Sequence, residues 1–211
     1  MTYKEELSKL LEKMEASSPY VRAEAIRKIG RMEIPLADIP MELHSSLVTA
    51  LSDPAAQVRA EVVMTLAFLE GEIINPLLEP LLSDPVDIVR SNTISALSYT
   101  KAPLSDILAK KLRECMNEKN VQIRDRCARA LGRLKVQGAD KILMHTLEND
   151  SSAVVRSGAV VGLGLLDFLE SDLLERLDDH LKNESSELVK QTIIEVISLH
   201  SKKKDDPLAE I

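Results

Sequence analysis

Asp53-Pro54-Ala55-Ala56-Gln57-Val58-Arg59 reads as the opening of a helix, and close variants of it return along almost the whole chain. Val58-Arg59 is echoed by Val21-Arg22, Val89-Arg90, Ile123-Arg124, Val155-Arg156 and Val189-Lys190. With the basic residue as marker, the successive spacings are 37, 31, 34, 32 and 34 residues. Recurrence at that period marks a helical solenoid, in which each unit is one supersecondary element that cannot bury its apolar face alone. The object this predicts is a binding scaffold.

Composition agrees with that reading. The chain has 211 residues, but a solenoid lacks a central core and is counted in repeats instead of by length. Only five aromatics (Tyr3, Tyr20, Phe68, Tyr99, Phe168) are present, so Leu, Ile, Val and Ala must fill the interior. The net charge of −7 favours solubility and gives no global pull toward nucleic acid or an anionic membrane. Cys115 and Cys127 lack the paired motif of a disulfide framework or a zinc site, so they are expected as separate buried small hydrophobes in a reducing compartment. The acidic start, Met1-Thr2-Tyr3-Lys4-Glu5-Glu6, is unlike a signal or transit peptide, and no stretch approaches the ~20 apolar residues of a membrane span. Cytoplasm is the expected location.

Six helical hairpins follow, over about 3–32, 41–69, 73–99, 103–135, 139–167 and 169–200, as one solenoid with a polar tail at 201–211. Tyr3, Leu7, Leu10, Leu11 and Met14 form one helical stripe, and Ser18-Pro19 opens a second helix with Pro at its first position. Pro35 and Pro40 break periodicity in an insertion that accounts for the long 37-residue spacing. Asp53-Pro54 and Asp84-Pro85 start the second helices of repeats two and three, and Gly71 ends the former. Pro76 and Pro80 should confine or kink the first helix of repeat three. The last helix (Leu188, Val189, Ile193, Ile194, Val196, Ile197, Leu199) is apolar around more than one face. Either the tail residues Leu208 and Ile211 cover it, or it makes a homodimer contact.

An acid stands six residues before the marker in Asp53/Arg59, Asp84/Arg90 and Asp150/Arg156, with Glu118/Arg124 and Glu184/Lys190 as weaker versions. There it can accept orphan N–H groups at a helix start and meet the positive end of the dipole. Hairpins of this length, with Asp-Pro, Val-Arg and a following Ala/Val-x-x-x-Leu-Gly as in Ala130-Leu131-Gly132, resemble HEAT repeats of the short, phycobilin-lyase-like kind. The resemblance covers about Tyr3 to His200 and implies an all-α, right-handed armadillo/HEAT-like superhelix. It also implies a buried ladder between acids and arginines of adjacent repeats, giving Asp53, Arg59, Asp84, Arg90, Arg124, Asp150 and Arg156 structural roles. Repeat one, with Ala16 in place of the acid, should lack its rung.

The resemblance further implies that the second helices line a concave, partner-binding surface. Positions five and nine residues past the marker share one helix face and vary most between repeats: Arg27/Arg31, Met64/Phe68, Ser95/Tyr99, Arg129/Arg133, Val161/Leu165 and Glu195/Leu199. Arg, Met and aromatics together resemble a protein interface, although Met64, Phe68, Val161 and Leu165 read equally well as packing between repeats. Catalytic, cofactor and metal sites are not expected. His44, His145, His180 and His200 are scattered and none is followed by Glu, unlike HEAT-repeat deoxyhypusine hydroxylases. The chain also lacks the Trp of HEAT-like DNA glycosylases. Gly158, Gly162 and Gly164 lie inside a helix, spaced for close packing. The expected function is a noncatalytic scaffold or adaptor holding a protein or peptide. A bilin lyase-like subunit is one alternative. A nucleic-acid-binding protein using Arg27, Lys28 and Arg31 or Arg124, Arg126, Arg129, Arg133 and Lys135 is another.

Overall fold

The computed structural model describes residues 3–32, 34–70, 75–100, 103–167 and 169–204. Among these are twelve α-helices, three short 3-10 turns and no strand. The chain divides into two compact units, Met1–Leu104 and Ser105–Ile211, with three of the repeats in each.

The first unit contains α1 (Tyr3–Met14) and α2 (Pro19–Gly30), a 3-10 turn at Leu36–Asp38, then α3 (Met41–Ala50) and α4 (Ala56–Glu70). Its third hairpin is the four-residue α5 (Asn75–Leu78), running into a 3-10 turn at Glu79–Ser83, followed by α6 (Asp87–Tyr99). Pro76 and Pro80 explain that broken element, since neither can donate to an α-helical ladder. In α1 Leu7, Leu10 and Met14 are buried and Tyr3 is exposed, a one-sided face for a helix at the edge of a stack. The core belongs to the second helices. Val58, Val62, Val63 and Leu66 of α4 are wholly buried because α4 packs against both α2 and α6. Burial of each such side chain contributes roughly 1.5–3 kcal/mol.

The second unit contains α7 (Asp106–Glu114) with a 3-10 turn at Cys115–Asn117, α8 (Val121–Arg133), α9 (Ala139–Asn149), α10 (Ala153–Gly164), α11 (Ser171–Asn183) and α12 (Glu187–Lys204). Here too the second helices stack, α8 on α10 and α10 on α12. Side-chain caps start α7, where Ser105 accepts from the Leu108 N–H, and α8, where Asn120 accepts from Gln122 and Ile123.

Two expectations change. Cys115 and Cys127 are not separate thiols: they form a disulfide, their Cα atoms 6.2 Å apart, within the range a bridge needs. The 12-residue separation spans the turn between α7 and α8, which folds one cysteine back onto the other. Cysteine usage therefore gives no argument for a reducing compartment. Secondly, α12 runs on to Lys204, into the stretch expected to be a polar tail. Gly71, Phe168, Leu208 and Ile211 lie outside the described residues.

The far edge of α12 is mostly polar. Ser157 and Gly164 of α10 touch Thr192 and Val196 of α12. The equivalent positions on α12 are Gln191 and Ser198, both exposed, with Glu187 and Ile194 beside them. A terminal repeat requires such a face.

Candidate partner-binding face

The recurring acids and arginines of the repeats are engaged with one another in the structure. Arg22 donates Nε and Nη2 to Asp53, each at 2.8 Å, and Arg59 pairs with Asp84 in the same bidentate way at 2.7 and 2.9 Å. In the second unit Arg124 grips Asp150 and Arg156 grips Glu184, at 2.7–3.0 Å. Each acid also accepts the N–H two residues on, which closes the turn into its own second helix. Bidentate geometry and partial burial make these strong, directional pairs. They are costly to break, because removing one partner strands a buried charge.

The arginines have a second, backbone-directed bond. Nη1 donates to the carbonyl six residues upstream: Arg22 to Ala16, Arg59 to Asp53, Arg90 to Asp84, Arg124 to Glu118 and Arg156 to Asp150. A carbonyl serves whatever the side chain, so Ala16 does not cost repeat one its rung, contrary to expectation. Pairing runs forward from Arg22, Arg59, Arg124 and Arg156 to the acid of the next repeat, so Arg22 has Asp53, whereas Arg90, in the last repeat of the first unit, pairs with Asp87 of its own helix at 2.8 Å. Arg22 and Glu184 thus join the ladder residues named from sequence, and the recurrence of the marker was the signal for both.

These contacts set the charge states. For Asp53, Asp84 and Asp150, burial pushes the carboxyl up, but the arginine and backbone bonds outweigh it and hold each below the ordinary value. Glu184 is lowered to about 2, chiefly by Arg156, with burial opposing and the Ser186 N–H and His180 assisting. Acids and arginines locked in this way are unsuited to capturing a partner.

The variable positions lie on the open face of the second helices. Phe68 is 69% and Tyr99 63% exposed, so neither packs between repeats. Arg31 and Arg133 are exposed, while Met64, Ser95, Val161 and Leu165 are half-buried. Arg27 is held by Glu24 at 3.0 Å and Glu61 at 2.5 Å, and Arg129 by Asp125 at 2.9 Å. The second basic cluster is therefore largely neutralised from within, since Arg124 and Lys135 are also paired, with Asp150 and Asp167, whereas in the first only Arg27 is, among the described residues. Arg31 and Arg133 have no ion pair among the described residues.

A groove of about 1020 Å³ in the first unit escaped the sequence reading. Tyr3, Leu7, Leu11, Met32, Ile34 and Pro35 are among its lining residues. The Pro-containing insertion builds one wall, and its traces in sequence are Pro35, Pro40 and the long 37-residue spacing, none of which specifies a groove. No three or more His, Cys, Asp or Glu residues are grouped to hold a metal ion among the described residues. No helix among them is long and apolar enough to cross a membrane.

Comparison with known proteins places this geometry. HEAT repeats match residues 7–98 and 109–198. Among solved structures, an engineered protein aligns with TM-score 0.63 at 17% identity, covering 96% of this chain and 100% of its own. A designed armadillo repeat protein in complex with the peptide (KR)4 aligns with TM-score 0.62 at 15% identity, covering 92% and 99%. The archaeal HEAT-like repeats protein from Thermococcus onnurineus NA1 aligns with TM-score 0.54 at 16% identity, covering 94% and 88%. At such identities the likeness is one of fold. No curated protein matches the sequence.

Proposed function

This chain belongs to the HEAT-repeat family, and we propose that it is a noncatalytic scaffold that holds a partner protein or peptide on the open face of its second helices. The observation that carries this reading is the exposure of Phe68 and Tyr99, at equivalent positions of consecutive second helices. Large exposed aromatics side by side are the usual anchors of a protein interface and have no packing role to explain them. The ladder below them holds the helices in register, so the face is presented by a rigid support. Solved repeat proteins of similar fold include one in complex with a peptide, which makes a peptide ligand a reasonable occupant.

The test uses the whole chain as bait in an extract of its own host. A specific partner is expected to be retained, and Phe68→Ala and Tyr99→Ala are each expected to weaken it by about ten-fold, the effect of losing a well-placed anchor. A partner held undiminished by both variants and by Arg133→Gln binds elsewhere, and the reading is then wrong.

A further inference from the structure

The two units carry the same row of side chains. Nine residues past the marker, the first unit reads Arg31, Phe68, Tyr99 and the second reads Arg133, Leu165, Leu199. In each the first repeat supplies a cation and the next two supply apolar groups. Phe68, Tyr99 and Leu199 are 69%, 63% and 47% exposed, and Leu165 is half-buried. One turn earlier on the same helices, Arg27 and Arg129 are both satisfied by carboxylates of the protein's own surface. Arg31 and Arg133 are left without an ion pair among the described residues. Each unit thus neutralises one arginine of its pair and leaves the other open at the head of an apolar row.

Resting on the scaffold reading above, we propose that each unit receives an extended peptide segment in which a carboxylate lies beside two apolar side chains. The open guanidinium takes the carboxylate, for which its planar fork is the matching donor. The two apolar positions take the other side chains. Packed helices lie about 8–10 Å apart, and a chain extended as a polyproline II helix advances about 9 Å per three-residue turn, which returns every third side chain to the same side. The matching ligand therefore carries its acid and its two apolar residues at three-residue intervals. A basic segment would instead set like charge against Arg31 and Arg133. The long-range pull of a net −7 chain on basic peptides is screened by salt, whereas the short-range match is less so.

Fluorescence anisotropy with the full chain separates these cases. The probes are labelled Gly-Glu-Ser-Ser-Phe-Ser-Ser-Leu-Gly, the same peptide in reverse order, the pair with Lys for Glu, and four repeats of Lys-Arg. One of the two acidic probes is expected to bind at two sites per chain, at least about five-fold tighter than its Lys counterpart. Arg31→Gln and Arg133→Gln should each weaken one site by about five-fold, and the Lys variants of both should restore part of the loss. Tighter binding of a basic probe, or acidic-probe binding indifferent to both Gln variants, overturns the proposal. If no probe binds while Phe68→Ala and Tyr99→Ala still release the host partner, this proposal fails and the scaffold reading stands. If those variants release nothing either, both fall.

Discussion

The seam between second helices is built differently in the two units. Eight residues past each marker the chain is always small: Gly30, Ala67, Ser98, Gly132, Gly164 and Ser198. At the α2–α4 seam, a Cβ added to Gly30 would meet Thr65 Oγ1 at 2.9 Å, and Thr65 itself donates to the Ile26 carbonyl at 3.2 Å. Asn92 likewise ties α6 to the Ala60 carbonyl of α4 at 3.1 Å. At the α8–α10 seam Asp125 lies against Gly158 in the first half of α10, but further along no side chain separates the two backbones. A Cβ on Gly132 would collide with the backbone of Gly162, and one on Gly162 would lie 2.5 Å from the Ala128 carbonyl. The first unit spaces its helices with polar side chains that can adjust; the second does so at α10–α12, through Ser157 and Thr192, but at Gly132 and Gly162 of the α8–α10 seam it presses backbone against backbone. Tolerance to change should therefore differ between two regions that share one repeat pattern.

Gly132→Ala should break the second seam and gives the largest effect expected. The added methyl gains about 1 kcal/mol of helix propensity. Its neighbour is main chain, which can yield only by separating α8 from α10, so the net result should be a loss of about 3 kcal/mol or more. Hydrogen exchange in α8 and α10 is the suitable measurement, because two compact units need not unfold together. Protection reduced by less than about 1 kcal/mol would show that this seam is not close-packed.

The rungs come next. Arg156→Met leaves Glu184 buried without its main partner and should cost about 3 kcal/mol near neutral pH. Glu184 is depressed from 4.5 to about 2, so it binds a proton more readily unfolded than folded. Its contribution is fully present above about pH 4.5 and is lost as pH falls toward 2. The stability gap between wild type and Arg156→Met should accordingly close over that window in acid denaturation, and a gap constant with pH would mean the pair is not the cause.

How much of this was legible in the sequence follows from period and chemistry. The marker spacing reveals the hairpins, and Val58, Val62, Leu66 and Leu69, which helical spacing sets on one face after Asp53-Pro54, are buried. The kinked start of repeat three followed from Pro76 and Pro80. Around α2 helical spacing sets Val21, Ala25, Ile29 and Met32 in one stripe, of which Ala25 and Ile29 are buried and Val21 and Met32 half-buried, while Ala23 and Ile26 are buried beside it. A terminal repeat has one neighbour, which leaves the ends of the stripe less covered. The direction of the ladder was hidden because an acid and Arg six apart in sequence look paired, while the side chains reach across to the next repeat. Exposure of Phe68 was undecidable from period alone, since its position is equally compatible with packing. The Cys115–Cys127 bridge depends on how tightly the α7–α8 turn closes, which no residue spacing specifies.

That bridge supplies a further contrast, because the first unit has no cysteine. A link across 12 residues should stabilise by about 3 kcal/mol through loop entropy in the unfolded chain. Reduction should lower protection in α7 and α8 by that amount and leave α2 and α4 unchanged. Equal loss in both units would remove the distinction. The smallest effect is expected at the seam with which the comparison began. Gly30→Ala gains the same propensity as Gly132→Ala, about 1 kcal/mol, but the atom it meets is the hydroxyl of Thr65, at the end of a side chain that can rotate. Rotation sacrifices one bond, to the Ile26 carbonyl, worth about 1 kcal/mol. The two terms nearly cancel, so protection in α2 and α4 should move by less than about 1 kcal/mol. A loss as large as that of Gly132→Ala would mean that Thr65 is as fixed as backbone, and that the two seams tolerate change equally.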